Sequence, residues 1–197
     1  MKHSEIKGIT IYCGSSGGTN PAFTAAAEAT GRAIAAAGLP LIYGGGHMGM
    51  MGAAARAARA ARAAGGETIA VIPQFMVERG WNDPEATETV ITPDMHRRKE
   101  LMAGHAMGAI ALPGGIGTFE ELTELITWRQ LGLYTGNIVI LNTAGYYDNL
   151  LAMFGHAMET GFMPSDHTAL WHVSTDAAEA VAAAAAATSE LHLKAKF

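Results

Sequence analysis

Apolar and polar positions along the chain follow two alternating spacings. Short apolar or β-branched runs recur at Gly8–Cys13, Leu39–Tyr43, Thr68–Ile72, Gly108–Leu112 and Ile138–Leu141, with a weaker run at Ala169–Val173. Each has the length of a strand buried on both faces. Between them lie alanine-rich segments around Ala25–Ala37, Ala53–Ala64 and Ala177–Ala187, which favour helix strongly and offer little side-chain area for burial. Alternation of this kind predicts a doubly wound α/β fold, a parallel sheet with helices on both faces. The stretch Gln74–Asp94 is read as one long irregular loop of the sort that covers a site. Arg56, Arg59 and Arg62 recur every three residues and are read as a solvated helix face.

Three glycine clusters each follow a predicted strand: Gly14–Gly18, Gly44–Gly46 with Gly49, and Gly114–Gly117. In a parallel sheet all three turns share one edge, and with the strand order 3-2-1-4-5 the first and third face each other across the crevice. Glycines there let backbone amides approach a ligand, and a helix N-terminus that follows presents free N–H groups to an anion such as phosphate. The segment Asp94-Met95-His96-Arg97-Arg98-Lys99 opens a helix at the same edge. Cations in a first helical turn oppose the macrodipole and suggest an anionic partner, and three adjacent residues fan too widely for more than two to face it. Thr118-x-x-Glu121 reads as a capping box, which alone would account for Glu121. Phe119, Leu122, Leu125 and Ile126 form the buried stripe of the same helix.

Composition narrows the functional classes. At 197 residues with 49% hydrophobic content, residues 1–197 are expected to form a single domain with one core. A formal charge of −5 argues against nucleic-acid binding, which needs a broad basic surface. Cys13 is the only cysteine, so no internal disulfide can form. No signal peptide or membrane-spanning stretch is read, and the expected location is cytoplasmic. The eight histidines show no metal-ligand spacing, and no metal or cofactor is expected.

PGGIGTFEE, with MHRRK before it at a fitting distance, resembles the PGGxGTxxE signature and arginine-lysine segment of the LOG (Lonely Guy) family. YGGGHMGMMG, IYCGSS and ITWRQLGLY resemble further family segments, so the resemblance runs from about Ile9 to about Gly161. It implies a Rossmann-like domain that acts as a cytokinin riboside 5′-monophosphate phosphoribohydrolase. Proteins with this signature have also been labelled lysine decarboxylase-like. The resemblance assigns Arg98 and Glu121 to catalysis. It assigns Lys99, Gly115, Ile116, Gly117, Thr118, Glu120 and Thr127 to nucleotide contact, and the same loops and helix start add Met95, Ser15, Gly45 and Gly114 as substrate-binding candidates. It also implies a homodimer, for which the apolar Trp128, Leu131 and Leu133 are candidate contacts. The family usually carries a glutamate in the loop after the third strand, where ungapped alignment places Gly80 here.

Breaking a ribosyl C–N bond builds positive charge on the sugar, which a carboxylate can stabilise while activating water. Glu121 is the candidate for that role. Arg98 could hold the phosphate or assist departure of the base. Two readings compete with a hydrolase acting on AMP or a cytokinin ribotide. A non-catalytic nucleotide carrier would need the same loops. NAD-linked redox chemistry is suggested by Gly44-x-Gly46-x-x-Gly49, but that fingerprint follows the second strand instead of the first. A decarboxylase using pyridoxal phosphate would need a Schiff-base lysine, and Lys99 is the only lysine in a motif.

Overall fold

The computed structural model describes residues 7–61 and 65–188. Seven strands, β1 (Gly8–Tyr12), β2 (Leu41–Tyr43), β3 (Thr68–Pro73), β4 (Glu88–Thr92), β5 (Ala106–Ala111), β6 (Asn137–Leu141) and β7 (His172–Ser174), form one sheet in the order β4-β3-β2-β1-β5-β6-β7. Every pairing is parallel. The doubly wound α/β reading therefore holds, and β1 and β5 lie side by side at the point where the strand order reverses.

Side chains alternate across each strand, so the central strands feed two cores. Ile9, Ile11, Leu41, Tyr43, Ile110 and Leu112 point to one face. There they meet α1 (Pro21–Ala36), α2 (Gly49–Ala60) and α7 (Ala177–Ala185). Tyr12, Ile42, Val71, Ala109, Ala111, Ile138 and Ile140 point to the other, against α4 (Met95–Gly104) and α5 (Ile116–Gln130). Partly buried side chains of α6 (Asp148–Glu159) join that second core. The alanines of α1, α2 and α7 act as thin spacers, with Ala27, Ala54, Ala55, Ala58, Ala180 and Ala184 fully or almost fully buried between backbones.

Several boundaries differ from the expectation for local physical reasons. α1 starts at Pro21 because the Asn20 side chain accepts from the Ala22 amide and proline suits the first helical position. α2 starts at Gly49, and the expected continuation through Arg62 to Ala64 lies outside the described residues. The stretch Gln74–Asp94 is not one irregular loop, since it holds the short helix α3 (Gln74–Glu78) and strand β4. β4 is an edge strand with the mixed burial of Glu88–Thr92, so it lacks the unbroken apolar run of the inner strands. Ala169 and Leu170 belong to a 3-10 turn over Ser165–Leu170, and only the residues after Trp171 pair as β7. Among the described residues no helix is long and apolar enough to cross a membrane.

At the amino-terminal edge of the sheet, Asn137 ties three elements together. Its Nδ2 donates to the carbonyls of Ala183 (3.0 Å) and Ala186 (3.1 Å), and its Oδ1 accepts from Arg129 Nη2 at 3.3 Å. Burial lowers the Arg129 pKa from its ordinary value. Asn137→Ala would leave that guanidinium and two carbonyls unsatisfied, and the expected loss is about 2–4 kcal/mol. A melting curve should fall by roughly 5–15 °C. An unchanged melting temperature would show that α7 is held without this residue.

Candidate active site

Because all strands are parallel, every strand-to-helix turn emerges at one edge, and the glycine clusters gather there. The first and third touch directly, with the Gly14 amide donating to the Pro113 carbonyl at 3.0 Å. α4 and α5 begin at the same edge and lie on the same face of the sheet.

The α5 helix begins earlier than the expected capping box requires. Gly115 is its N-cap, with φ −93° and ψ −160°, and the Phe119 amide bonds the Gly115 carbonyl at 3.1 Å. Thr118 therefore sits inside the first turn and Glu121 inside the second, and the box is not formed. Gly114 lets the turn pack closely, since a Cβ there would clash with Thr118 and the Gly14 amide. Gly115 has no side chain to cap the helix, and no side-chain acceptor caps its N-cap position. A Cβ added at Gly115 or Gly117 would meet nothing within 4 Å, so this turn faces open space. The arrangement has the features of an anion cradle.

Freed from capping, Glu121 pairs with Arg98. The Arg98 Nη2 to Glu121 Oε1 distance is 3.1 Å, and their side chains are only 7% and 9% exposed. Arg98 Nε donates to the Val71 carbonyl at 3.1 Å, while among the described residues Nη1 has only the Met95 sulfur, at 3.8 Å. Gly44 makes room for the guanidinium, since a Cβ there would lie 2.0 Å from Arg98 Nη2. Burial pushes the Glu121 carboxyl above its ordinary value, Arg98 pulls it back, and the charge on Glu120 adds to the rise.

Lys99 forms a second cluster, with Nζ donating to Glu120 Oε1 and, at 3.0 Å, to Glu124 Oε1. Burial works against its charge, but the two carboxylates outweigh it and raise its pKa. Arg97 points outward to Glu100 at 2.7 Å. Two of the three cations thus turn inward, the most that their fan allows, and their anionic partners within the chain are carboxylates of α5.

Arg98 also lines a cavity of about 350 Å³ with Ser15, Gly44, Gly46, His47 and an apolar wall of Met48, Met51, Ile72, Met76 and Trp81. That volume is within the range of about 300–1,000 Å³ for small-molecule sites. The structure brings Arg98, Glu121, Met95 and Ser15 to this region, with the open turn Gly115–Gly117 after the neighbouring strand and Gly114 packed against buried Thr118 behind it. Gly45 lies behind the cavity wall, its backbone against Ile72 and its carbonyl accepting from the Asp83 amide at 2.7 Å. Thr127 lies on the exposed α5 face that carries Glu120 and Glu124, its hydroxyl donating to the Thr123 carbonyl at 2.8 Å, and it does not line this cavity.

Sequence reasoning did not single out the apolar wall. The methionines of GGGHMGMM and Trp81 in the long loop were the available signal. Gly80, the position without the family's glutamate, has φ +72° and closes α3, a conformation that a glutamate would adopt only with strain. The reading of the arginine stripe as solvated holds at exposed Arg56, fails at Arg59, and at Arg62 falls outside the described residues. Arg59 is 18% exposed and pairs with Asp83 at 3.0 Å and Glu85 at 3.1 Å, and Arg56 donates to the His47 carbonyl at 3.0 Å.

Residues 51–184 match the family model described as "Possible lysine decarboxylase". The chain is 40% identical to a cytokinin riboside 5′-monophosphate phosphoribohydrolase of Arabidopsis thaliana over 160 residues, 81% of this chain and 74% of that protein. A second Arabidopsis thaliana protein of the same name is 37% identical over 84% of this chain and 76% of its own length. Among solved structures, the Moco carrier protein of Chlamydomonas reinhardtii has a TM-score of 0.66 at 23% identity, covering 91% of this chain and 95% of its own. The molybdenum cofactor binding protein of Rippkaea orientalis has a TM-score of 0.63 at 18% identity, covering 90% and 93%. Those two likenesses concern the fold alone. The chain belongs to the LOG family of phosphoribohydrolases, the family that this lysine decarboxylase-like model covers.

Proposed function

We propose that the chain hydrolyses the N-glycosidic bond of cytokinin riboside 5′-monophosphates or AMP, giving free base and ribose 5-phosphate. The observation that carries this reading is the buried Arg98–Glu121 pair, set between an apolar cavity and an open glycine turn at a helix N-terminus. Phosphate is assigned to the amides of Gly115–Thr118, and the base to the cavity. Glu121 in its ionised form stabilises the cationic sugar and activates water at its anomeric carbon. Arg98 keeps Nη1 for the substrate while Nη2 orients the carboxylate. Lys99 and Glu120 place α4 against α5, so the two charges of the central pair meet.

The experiment is product analysis by chromatography with the wild-type chain and Glu121→Gln. Glutamine keeps the volume and an acceptor for Arg98, so the variant should lose about 1–3 kcal/mol of stability and stay folded. Turnover should fall by roughly 10²–10⁴-fold. The raised pKa of Glu121 makes the ionised form decline as pH falls through a value above the ordinary glutamate range. Wild-type kcat should therefore show an acid limb above that range, which the residual activity of Glu121→Gln lacks. Near-normal turnover in the folded variant would remove Glu121 from catalysis. Nucleotide binding without product in the wild-type chain would make it a carrier.

The same reading includes a cytoplasmic homodimer. Leu131 and Leu133, 62% and 71% exposed beyond the end of α5, form with half-buried Trp128 an apolar surface that a second copy would cover. Light scattering at micromolar concentration should give twice the chain mass, and a monomer alone would contradict it.

A further inference from the structure

Asp83 is a buried charge that the proposed chemistry does not use. It is 3% exposed, yet its carboxylate accepts from Tyr43 Oη at 2.8 Å, from Arg59 Nη1 at 3.0 Å and from the Glu85 amide at 3.0 Å. Burial raises its pKa, but the hydrogen bonds from Tyr43, the Glu85 amide and Arg59 together outweigh it and leave the group below its ordinary value. It therefore stays charged near neutral pH.

Its neighbours in sequence build the cavity. Tyr43 immediately precedes Gly44, the residue that Arg98 packs against, and the Asp83 amide holds the Gly45 carbonyl at 2.7 Å. Gly46 and Asn82 form an antiparallel bridge, and His47 Nδ1 lies 3.3 Å and 3.2 Å from the carbonyls of Trp81 and Asn82. Arg59 reaches Asp83 from α2, which fixes the same loop from a third element. The segment after β2 and the segment after α3 are thus joined along Gly45–His47 and Trp81–Asp83, with the Asp83 carboxylate adding Tyr43 and Arg59 at one end of the seam, and each supplies part of the cavity wall: Gly44, Gly46 and His47 from one, Trp81 from the other.

Resting on the proposed nucleotide hydrolysis, we infer that Asp83 is a positioning residue that fixes the Trp81–His47 wall and thereby sets how tightly, and how selectively, the base is held. It acts through Tyr43, Arg59 and the Gly45 backbone and touches no substrate. A base held against a displaced wall binds more weakly, whereas Arg98 and Glu121, anchored at Val71 and on α5, keep their alignment.

The test uses the full chain as Asp83→Asn, which keeps size and one acceptor but removes the charge that Arg59 pairs with. In the folded variant KM for AMP should rise about tenfold with kcat within about twofold. The kcat/KM ratio between an N6-benzyl-substituted AMP and AMP should shift by about threefold or more. Acrylamide quenching of Trp81, isolated by subtracting the emission of Trp81→Phe, should increase. Tyr43→Phe removes a single hydroxyl and should move all three readouts in the same direction. It carries the test where Asp83→Asn does not fold. A merely structural aspartate lowers the melting temperature and leaves KM, base selectivity and quenching at their wild-type values; that outcome would overturn the inference. The quenching comparison needs no turnover. A wild-type chain inactive on every nucleotide would count against the hydrolase reading, while unchanged quenching would count against Asp83.

Discussion

The buried contact between Arg98 and Glu121 sets the terms for everything around it. A guanidinium and a carboxylate removed from water together need close geometry and further hydrogen bonds, because an isolated partner would cost several kcal/mol, of the order of 3–5. The surroundings meet that need. Val71 gives a carbonyl to Nε, Gly44 gives the space for Nη2, and the early start of α5 at Gly115 turns Glu121 inward instead of leaving it to cap the helix. Lys99 and its two glutamates clamp the same pair of helices a little further out.

That contact also joins two environments that are usually distinct. On one side is an open glycine turn with uncapped helical amides, suited to an anion. On the other is a partly open wall of methionine, isoleucine and tryptophan, suited to a flat apolar body. A nucleotide has both ends, and the proposed reading sets its glycosidic bond at the pair between them. The fold by itself does not choose this chemistry, since the Moco carrier protein has it too. The proposed hydrolysis rests on the side chains at the edge and on the likeness of the whole chain to phosphoribohydrolases.

Legibility in the sequence followed the physical strength of the signal. Inner strands buried on both faces announce themselves as unbroken runs, and five of the seven fell where Gly8–Cys13, Leu39–Tyr43, Thr68–Ile72, Gly108–Leu112 and Ile138–Leu141 had placed them. β4 was hidden because an edge strand is half wet, and β7 was shifted because Ala169 and Leu170 spend their apolar character on a 3-10 turn. Helical spacing showed that at most two of Arg97, Arg98 and Lys99 could face one partner, and only the family resemblance picked out Arg98 and Lys99, the two that turn inward. Glu121 was ambiguous, since Thr-x-x-Glu fits a cap and a pair equally well until the start of the helix is known. The Asp83 network was invisible, because Tyr43, Arg59 and Asp83 meet only after three elements are packed and carry no local spacing.

The central claim is that the glycine turn and the buried pair act on one molecule, the turn holding phosphate while the pair attends to the sugar. The most direct measurement compares release of free adenine from AMP and from adenosine by the wild-type chain, with ribose 5-phosphate quantified in the first case. The account predicts ribose 5-phosphate from AMP and a kcat/KM for adenosine lower by about 10²-fold or more, the scale set by losing charge-assisted contacts of about 3 kcal/mol. Equal turnover of the two substrates would contradict it, because the open turn at Gly115–Gly117 would then have no part in the reaction.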